Sequence, residues 1–174
     1  MREIAPGVFL QTTSITRDEN DHERHRLRDH RDLFDYVVDF SRDYALRSGE
    51  AIPPTLYLLN DRVLWMLVSR WFCHPATKDN MVLLVRRIAG ELHAKAYCTV
   101  FESYVTLFKG RLRTGKLDAI AIFAGGKAAG KASFHADAQL CKIIYRDCDP
   151  VTGKLQLVER DEMDDPAAKF EGLY

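Results

Sequence analysis

The strongest alternation of apolar and polar positions in the chain lies between Ala96 and Ala124. Ala96–Phe108 repeats with a period of two, which is typical of a β-strand, and Leu117–Ala124 predicts a second strand beside it. The connecting residues 109–116 contain four basic residues and no acidic one. We therefore predict two long neighbouring strands at the centre of a sheet, joined by a solvated basic loop.

A helical period precedes this region. The positions that share one face at 3.6-residue spacing are Leu27, Phe34, Val37, Val38 and Ala45. Thr16 and Glu19 fit a capping box, which would start the helix early. The first half of that segment is charged and has no apolar face, so a start near Asp29 stays open. Gly49 is suited to the left-handed conformation of a helix C-cap, and predicts the end of the helix.

The remaining elements follow from the same periodicities. Thr55–Leu59 and Arg62–Ser69 predict a β-hairpin, because the two residues between them tolerate the positive φ of a tight turn. Lys78–His93 has helical spacing and predicts a second helix. Lys131–Asp147 is expected to contain a bent strand, and Lys154–Glu159 another.

The order of these elements predicts a single α+β domain. We expect helix–β-hairpin–helix followed by a three- to four-stranded antiparallel meander, with the helices packed on one face of the sheet. Residues 1–15 are interpreted as an N-terminal lead-in, 16–160 as the domain and 161–174 as a C-terminal tail. The lead-in has a short apolar patch that would add an edge strand, pack on the body or reach a neighbouring subunit.

Three segments carry a resemblance to known proteins. Phe101-Glu102-Ser103-Tyr104 keeps the glutamate and the following aromatic of a Ser-Glu-Ala-Trp-like strand motif. Lys116–Ile120 lies where an Arg-Glu-rich strand start would follow, and Ile144–Asp147 looks like an Ile-x-Arg-Asp strand. Over roughly residues 33–159 the chain resembles a set of uncharacterised bacterial and phage proteins. The resemblance implies the order of helices and strands, and implies no activity.

Length and composition limit the classes of protein to which the chain can belong. A length of 174 residues suits one domain. The 25 basic and 25 acidic residues balance, so the net charge does not attract the chain to nucleic acid or membrane. The N-terminus lacks the features of a signal peptide, and no apolar run reaches the ~20 residues of a spanning helix. The four cysteines form no CxxC pair, and predict reduced thiols in a cytoplasm. No cofactor and no membrane association are expected.

Glu102 is the residue whose type fits its surroundings least, since it lies in the middle of an apolar strand. A carboxyl group withdrawn from water could serve as a general acid or base. A structural ion pair with an arginine, Arg146 being one candidate, is the favoured interpretation, because no matching nucleophile or base is evident.

A nuclease-like pattern provides further catalytic candidates. The basic loop followed by Asp118 resembles the Gly-x-Leu-Asp strand entry of restriction-type nuclease folds. Such a site needs Glu/Gln-x-Lys on the next strand to hold Mg²⁺, and residues 133–137 offer His135 but no lysine. Whether Glu102 and Asp118 share a face depends on strand parity, which the sequence leaves open.

Two other motifs are interpreted as structural. Gly125–Lys131 matches GxxxxGK, but Ala132 replaces the Ser/Thr that a phosphate-binding loop requires, so a Gly-rich turn is expected. His22, His25 and Asp29 share one helix face, and opposite charges around them favour a solvated surface. No metal site is predicted.

The favoured hypothesis is a small cytoplasmic protein, bacterial or phage, that acts as a non-catalytic accessory or interaction module and self-associates. One alternative is a metal-dependent hydrolase or nuclease using Glu102 and Asp118. The other is a module that binds nucleic acid or an acidic partner through the basic segments 24–31 and 109–116. The binding candidates are Arg111, Arg113, Lys116 and Arg146.

Overall fold

The computed structural model describes residues 1–15, 27–69, 78–109, 112–126, 140–148, 151–152 and 155–160. The helices and strands in this part of the chain are β1 (Arg2–Ala5), β2 (Val8–Ser14), α1 (His30–Ser48), β3 (Thr55–Leu59), β4 (Val63–Ser69), α2 (Lys78–Glu91), β5 (Ala96–Lys109), β6 (Leu112–Gly126), β7 (Leu140–Cys148) and β8 (Leu155–Arg160). Neither helix of the described residues is long and apolar enough to cross a membrane.

The strands form one antiparallel sheet in the order β1-β2-β4-β3-β5-β6-β7-β8. The predicted fold class is wrong in its architecture, although the protein is mixed α and β. The hairpin β3–β4 is not a unit between two helices that stands apart from a later meander. Since β3 pairs with β5, from Thr55 opposite Val100 to Leu59 opposite Ala96, the hairpin and the later strands belong to the same sheet.

The two helices cover opposite faces of the sheet, which corrects the prediction that both pack on one face. The buried side of α1 packs with Tyr57 and Leu59 of β3 and with Cys98 of β5. The apolar side of α2 packs with Leu56 and Leu58, the alternate residues of β3. All five residues of β3 are buried, because this strand has a helix on each side.

Helix α1 has a capping residue at each end. Asp29 is the N-cap, and its carboxylate accepts hydrogen bonds from the backbone N–H groups of Arg31 and Asp32. Gly49 has φ of 66° and donates its N–H to the carbonyl of Ala45, as in a left-handed C-cap. The helix therefore starts at the later of the two predicted positions, and the proposed capping box at residues 16–19 lies outside the described residues.

The N-terminal residues contribute strands to the sheet. β2 pairs with β4 along its whole length, and β1 follows as the edge strand with a register shift between Glu3 and Ala5. Val8 is buried, whereas every residue of β1 is exposed. Of the three roles considered for the lead-in, the structure has the edge strand.

Strands β5 and β6 are longer than the neighbours that flank them. β5 pairs with β3 only as far as Val100, and β6 pairs with β7 only from Asp118 onward. The two strands continue as a pair to Lys109 opposite Leu112. We call residues 103–109 and 112–117 the β-ribbon. The prediction of a basic loop over residues 109–116 is wrong, because most of it is strand and only residues 110 and 111 lie between the strands.

Candidate functional site

Glu102 and Arg146 form an ion pair at the base of the β-ribbon. The Arg146 Nη2 group lies 2.5 Å from Glu102 Oε1. The two side chains are 11% exposed for Arg146 and 25% for Glu102, so the pair is largely withdrawn from water. The interpretation of Glu102 as the ion-pair partner of Arg146 is therefore confirmed.

The pair also holds the connection between α1 and β3. Glu102 Oε1 accepts a hydrogen bond of 2.8 Å from the backbone N–H of Ile52. Arg146 Nη2 donates one of 2.7 Å to the backbone carbonyl of Glu50. A single acid–base pair thus hydrogen-bonds two backbone groups of this loop. These loop groups were not predicted, because backbone partners far apart in sequence leave no pattern in the residue types.

The register brings a second carboxylate to the same face of the sheet. Glu102 is opposite Ile120, and Asp118 is opposite both Tyr104 and Arg146. Positions two residues apart on one strand share a face, so Glu102, Asp118 and Arg146 are on one side. Asp118 is exposed, in contrast to the other two. Among the described residues, Arg146 Nε is buried and has no hydrogen-bond partner.

This arrangement is a poor acid–base site. Glu102 Oε1 already contacts a guanidinium group and a backbone amide, so it would have to give up these contacts to take part in proton transfer. A divalent metal at Glu102 would also have to compete with the adjacent positive charge of Arg146.

The other sequence-predicted site residues do not gather around Glu102 in the described structure. His135 and Arg111 lie outside the described residues, so His135 stays an untested catalytic candidate. Arg113 and Lys116 are on β6, at register positions opposite Phe108 and Thr106. A metal ion held by Glu102 and Asp118 would therefore have no third protein ligand among the described residues. Among the described residues, no group of three or more His, Cys, Asp or Glu could hold a metal ion.

Gly125 and Gly126 are strand residues at the end of β6, where two bulky side chains come close to the backbone. A Cβ on Gly125 would lie 2.7 Å from Tyr97 Cζ, and one on Gly126 would lie 2.7 Å from His30 Nδ1. Tyr97 is the cross-strand partner of Gly125. Close packing therefore accounts for both glycines without a phosphate ligand. The rest of the GxxxxGK motif lies outside the described residues.

The charged surface at the start of α1 is partly neutralised. Arg28 Nε lies 2.9 Å from Asp32 Oδ2. Hydrogen bonding to Arg28 holds the pKa of the Asp32 carboxyl below its ordinary value, and the same contact raises the pKa of Arg28. Of the basic segment 24–31, Arg24 and Arg26 lie outside the described residues, as do His22 and His25. The described part gives no concentration of positive charge.

Cys98 and Tyr57 are buried beneath α1. Cys98 is a free thiol with no exposure, and burial raises its pKa well above the ordinary value. Tyr57 lies opposite Cys98 across β3 and β5, and burial likewise raises its pKa. A protonated thiol is a weak nucleophile, so Cys98 is suited to packing.

Comparison of the chain with protein-family models, with curated proteins and with solved structures finds no match.

Proposed function

We propose that the protein is a non-catalytic interaction module that contacts its partner through the β-ribbon. The observation that carries the proposal is the length of β5 and β6, which continue as a pair beyond β3 and β7. We place this module in the cytoplasm of a bacterium or in a phage-infected cell, in line with the resemblance to uncharacterised proteins of that origin.

Among the described strands, the ribbon pairs only through its own two strands beyond the ends of β3 and β7. A two-stranded ribbon is at best marginally stable by itself in water. Along the outer edges of the ribbon, its backbone N–H and C=O groups have no strand partner among the described residues, since β3 and β7 no longer pair there. An extension of this kind is explained more simply by contact with another molecule. The same open edges would also allow a second copy of the chain to pair.

The geometry around Glu102 supports a binding role over catalysis. The carboxylate that was the best candidate for general acid–base chemistry is engaged by Arg146 and by the Ile52 amide. A hydrolase using Glu102 and Asp118 would need Glu102 to leave these partners during turnover.

The proposal is tested with a photo-activated crosslinking amino acid introduced at single positions in the native host. Thr114, at the register shift of the ribbon, is the test position, and exposed Asp39 on α1 is the control. We expect adducts at Thr114 and few at Asp39. We also expect the adducts at Thr114 to persist when Glu102→Gln and Asp118→Asn are combined. An absence of adducts at Thr114, or equal yields at the two positions, would contradict an interaction surface on the ribbon.

A further inference from the structure

The β-ribbon concentrates positive charge in a chain that is neutral as a whole. Residues 103–117 contain four basic residues and no acidic one, against totals of 25 basic and 25 acidic residues. Of the four, Arg111 lies outside the described residues and is left out of the site. The field of the ribbon is therefore local, and attracts an anionic partner to this one projection.

The strand register divides the ribbon into two unlike faces. Directly opposed residues of an antiparallel pair share a face. One face includes the pairs Phe108–Arg113 and Thr106–Lys116, and Tyr104 lies two positions further in, opposite Asp118. The other face includes the apolar pair Val105–Leu117, the pair Leu107–Gly115 and Lys109 opposite Leu112, so it has one described cation and no aromatic position. We call the first the aromatic–basic face.

We propose that the aromatic–basic face binds single-stranded nucleic acid, with Arg113 and Lys116 on the phosphates and Tyr104 and Phe108 stacking on unpaired bases. This inference rests on the proposed function, and names the partner of the same ribbon. Basic residues supply affinity for any polyanion, whereas aromatic positions among them select a polyanion with exposed flat rings. Duplexes keep their base faces stacked inside, so the aromatic positions favour a single strand.

The dimensions suit such a ligand. Tyr104 and Phe108 are four residues apart on one strand, which is about 13 Å at roughly 3.3 Å per residue. That distance leaves room for a base at each of the two aromatic positions.

The base of the ribbon sets the inner limit of the site. Asp118 is exposed beside Tyr104, and repels phosphates there. Arg146, which lies opposite Asp118 on β7, is already paired with Glu102 and hydrogen-bonded to the Glu50 carbonyl. The nucleic acid therefore crosses the ribbon, and does not extend onto the sheet body.

The test uses the full chain and a fluorescent mixed-sequence DNA strand of about 15 nucleotides. Binding is followed by anisotropy between about 50 mM and about 200 mM salt. We expect Arg113→Gln with Lys116→Gln to weaken binding about tenfold and to reduce the slope of log K against log salt by about 1.4, or about 0.7 per phosphate contact. The matched control removes two exposed cations of α2, Arg86→Gln with Arg87→Gln, and should change binding less than about twofold.

The aromatic positions are tested separately. Tyr104→Leu and Phe108→Leu keep apolar bulk, and each is expected to weaken single-strand binding about fivefold or more through the loss of stacking. Arg113→Lys with Lys116→Arg keeps the charge, and should keep most of the affinity. Thermal unfolding of each variant shows whether the fold is intact. Suppose that Arg113→Lys with Lys116→Arg loses as much binding as Arg113→Gln with Lys116→Gln, while both variants unfold at the wild-type temperature. That result would contradict the assignment of Arg113 and Lys116 as phosphate contacts.

The remaining outcomes separate this inference from the proposed function. Binding of the matching duplex as tightly as the single strand would overturn the choice of a single strand. Binding to phosphatidylserine vesicles but not to the oligonucleotide would overturn nucleic acid as the partner. Crosslinks at Thr114 that reach only protein would also overturn it, yet would leave the interaction module standing. No crosslink at Thr114 would overturn both.

Discussion

The inner and outer halves of β5 and β6 differ although they belong to the same two strands. The inner half, Ala96–Val100 with Asp118–Ala124, has paired strands on both sides and buries residues such as Val100 and Ile122. The outer half, the β-ribbon, has no further partner among the described strands. Apolar alternation runs through both, so the pattern of residues does not distinguish a strand that builds the core from one that projects. The strands that pair on either side determine whether a segment belongs to the core or projects from it.

The ion pair of Glu102 and Arg146 marks the boundary between the halves, and its loss is expected to have the largest effect. Arg146→Met leaves Glu102 without its cation and Glu50 without a donor. Breaking a buried pair costs about 3–5 kcal/mol, and partial exposure of Glu102 reduces our expectation to about 2–3 kcal/mol. Urea unfolding measures the loss.

The matched control for the pair replaces both charges. Glu102→Leu with Arg146→Met removes the desolvation cost together with the attraction, and should recover at least half of the stability lost in Arg146→Met. A double variant no more stable than Arg146→Met alone would show that the charges do not act as a pair.

A valine on each side of the boundary gives the next largest contrast. Val100 is 1% exposed and packs beneath α1, so Val100→Ala should lower the free energy of unfolding by about 2 kcal/mol. Val105 lies on the ribbon, where we expect Val105→Ala to cost less than about 1 kcal/mol. Equal losses, measured by urea unfolding, would mean that the ribbon belongs to the core.

The end of β6 farthest from the ribbon is expected to be sensitive to added volume. Gly125→Ala places a methyl group against the Tyr97 ring, and should destabilise the fold by about 1–2 kcal/mol. Gly90→Ala on α2 has open space around it, and should stabilise by about 0.5–1 kcal/mol through helix propensity. Thermal unfolding compares the two, and destabilisation by both would contradict the packing explanation.

The smallest expected effect belongs to the exposed ion pair of Arg28 and Asp32. Because Arg28 lowers the pKa of Asp32 in the folded state, its contribution is present above the ordinary aspartate pKa of about 4, and is lost as pH falls through the folded pKa. The wild-type protein should therefore exceed Arg28→Gln in stability near pH 6, and the gap should close near pH 2. A stability difference that widens at low pH would contradict a stabilising contribution from the ionised Asp32 carboxylate.

Individual elements were more predictable than their arrangement. The bounds of α1 follow from Asp29 and Gly49, and the β3–β4 hairpin follows from two apolar runs separated by a turn. An amphipathic helix shows which of its own sides is apolar, but not which face of a sheet it will cover. The opposite placement of α1 and α2, which buries β3 on both faces, therefore could not be predicted from the helices alone.

The candidate site was predictable in its main pair and not in its surroundings. An isolated glutamate in an apolar strand demands a partner, so its pairing with an arginine follows from the cost of burying a charge. The loop backbone that shares the pair, and the strand conformation of Arg113 and Lys116, depend on long-range register. Basic residues between apolar runs look like a loop until the pairing of β5 with β6 is known.

Hydrogen exchange along β5, with and without a single-stranded oligonucleotide, tests the division of the strand most directly. We predict slow exchange of the amides of residues 96–100 in both conditions, since they lie between β3 and β6. The amides of residues 104–109 should exchange faster in the free protein and slow down at least severalfold with the oligonucleotide. Uniform exchange along the whole strand, or protection that rises only outside the ribbon, would contradict this account.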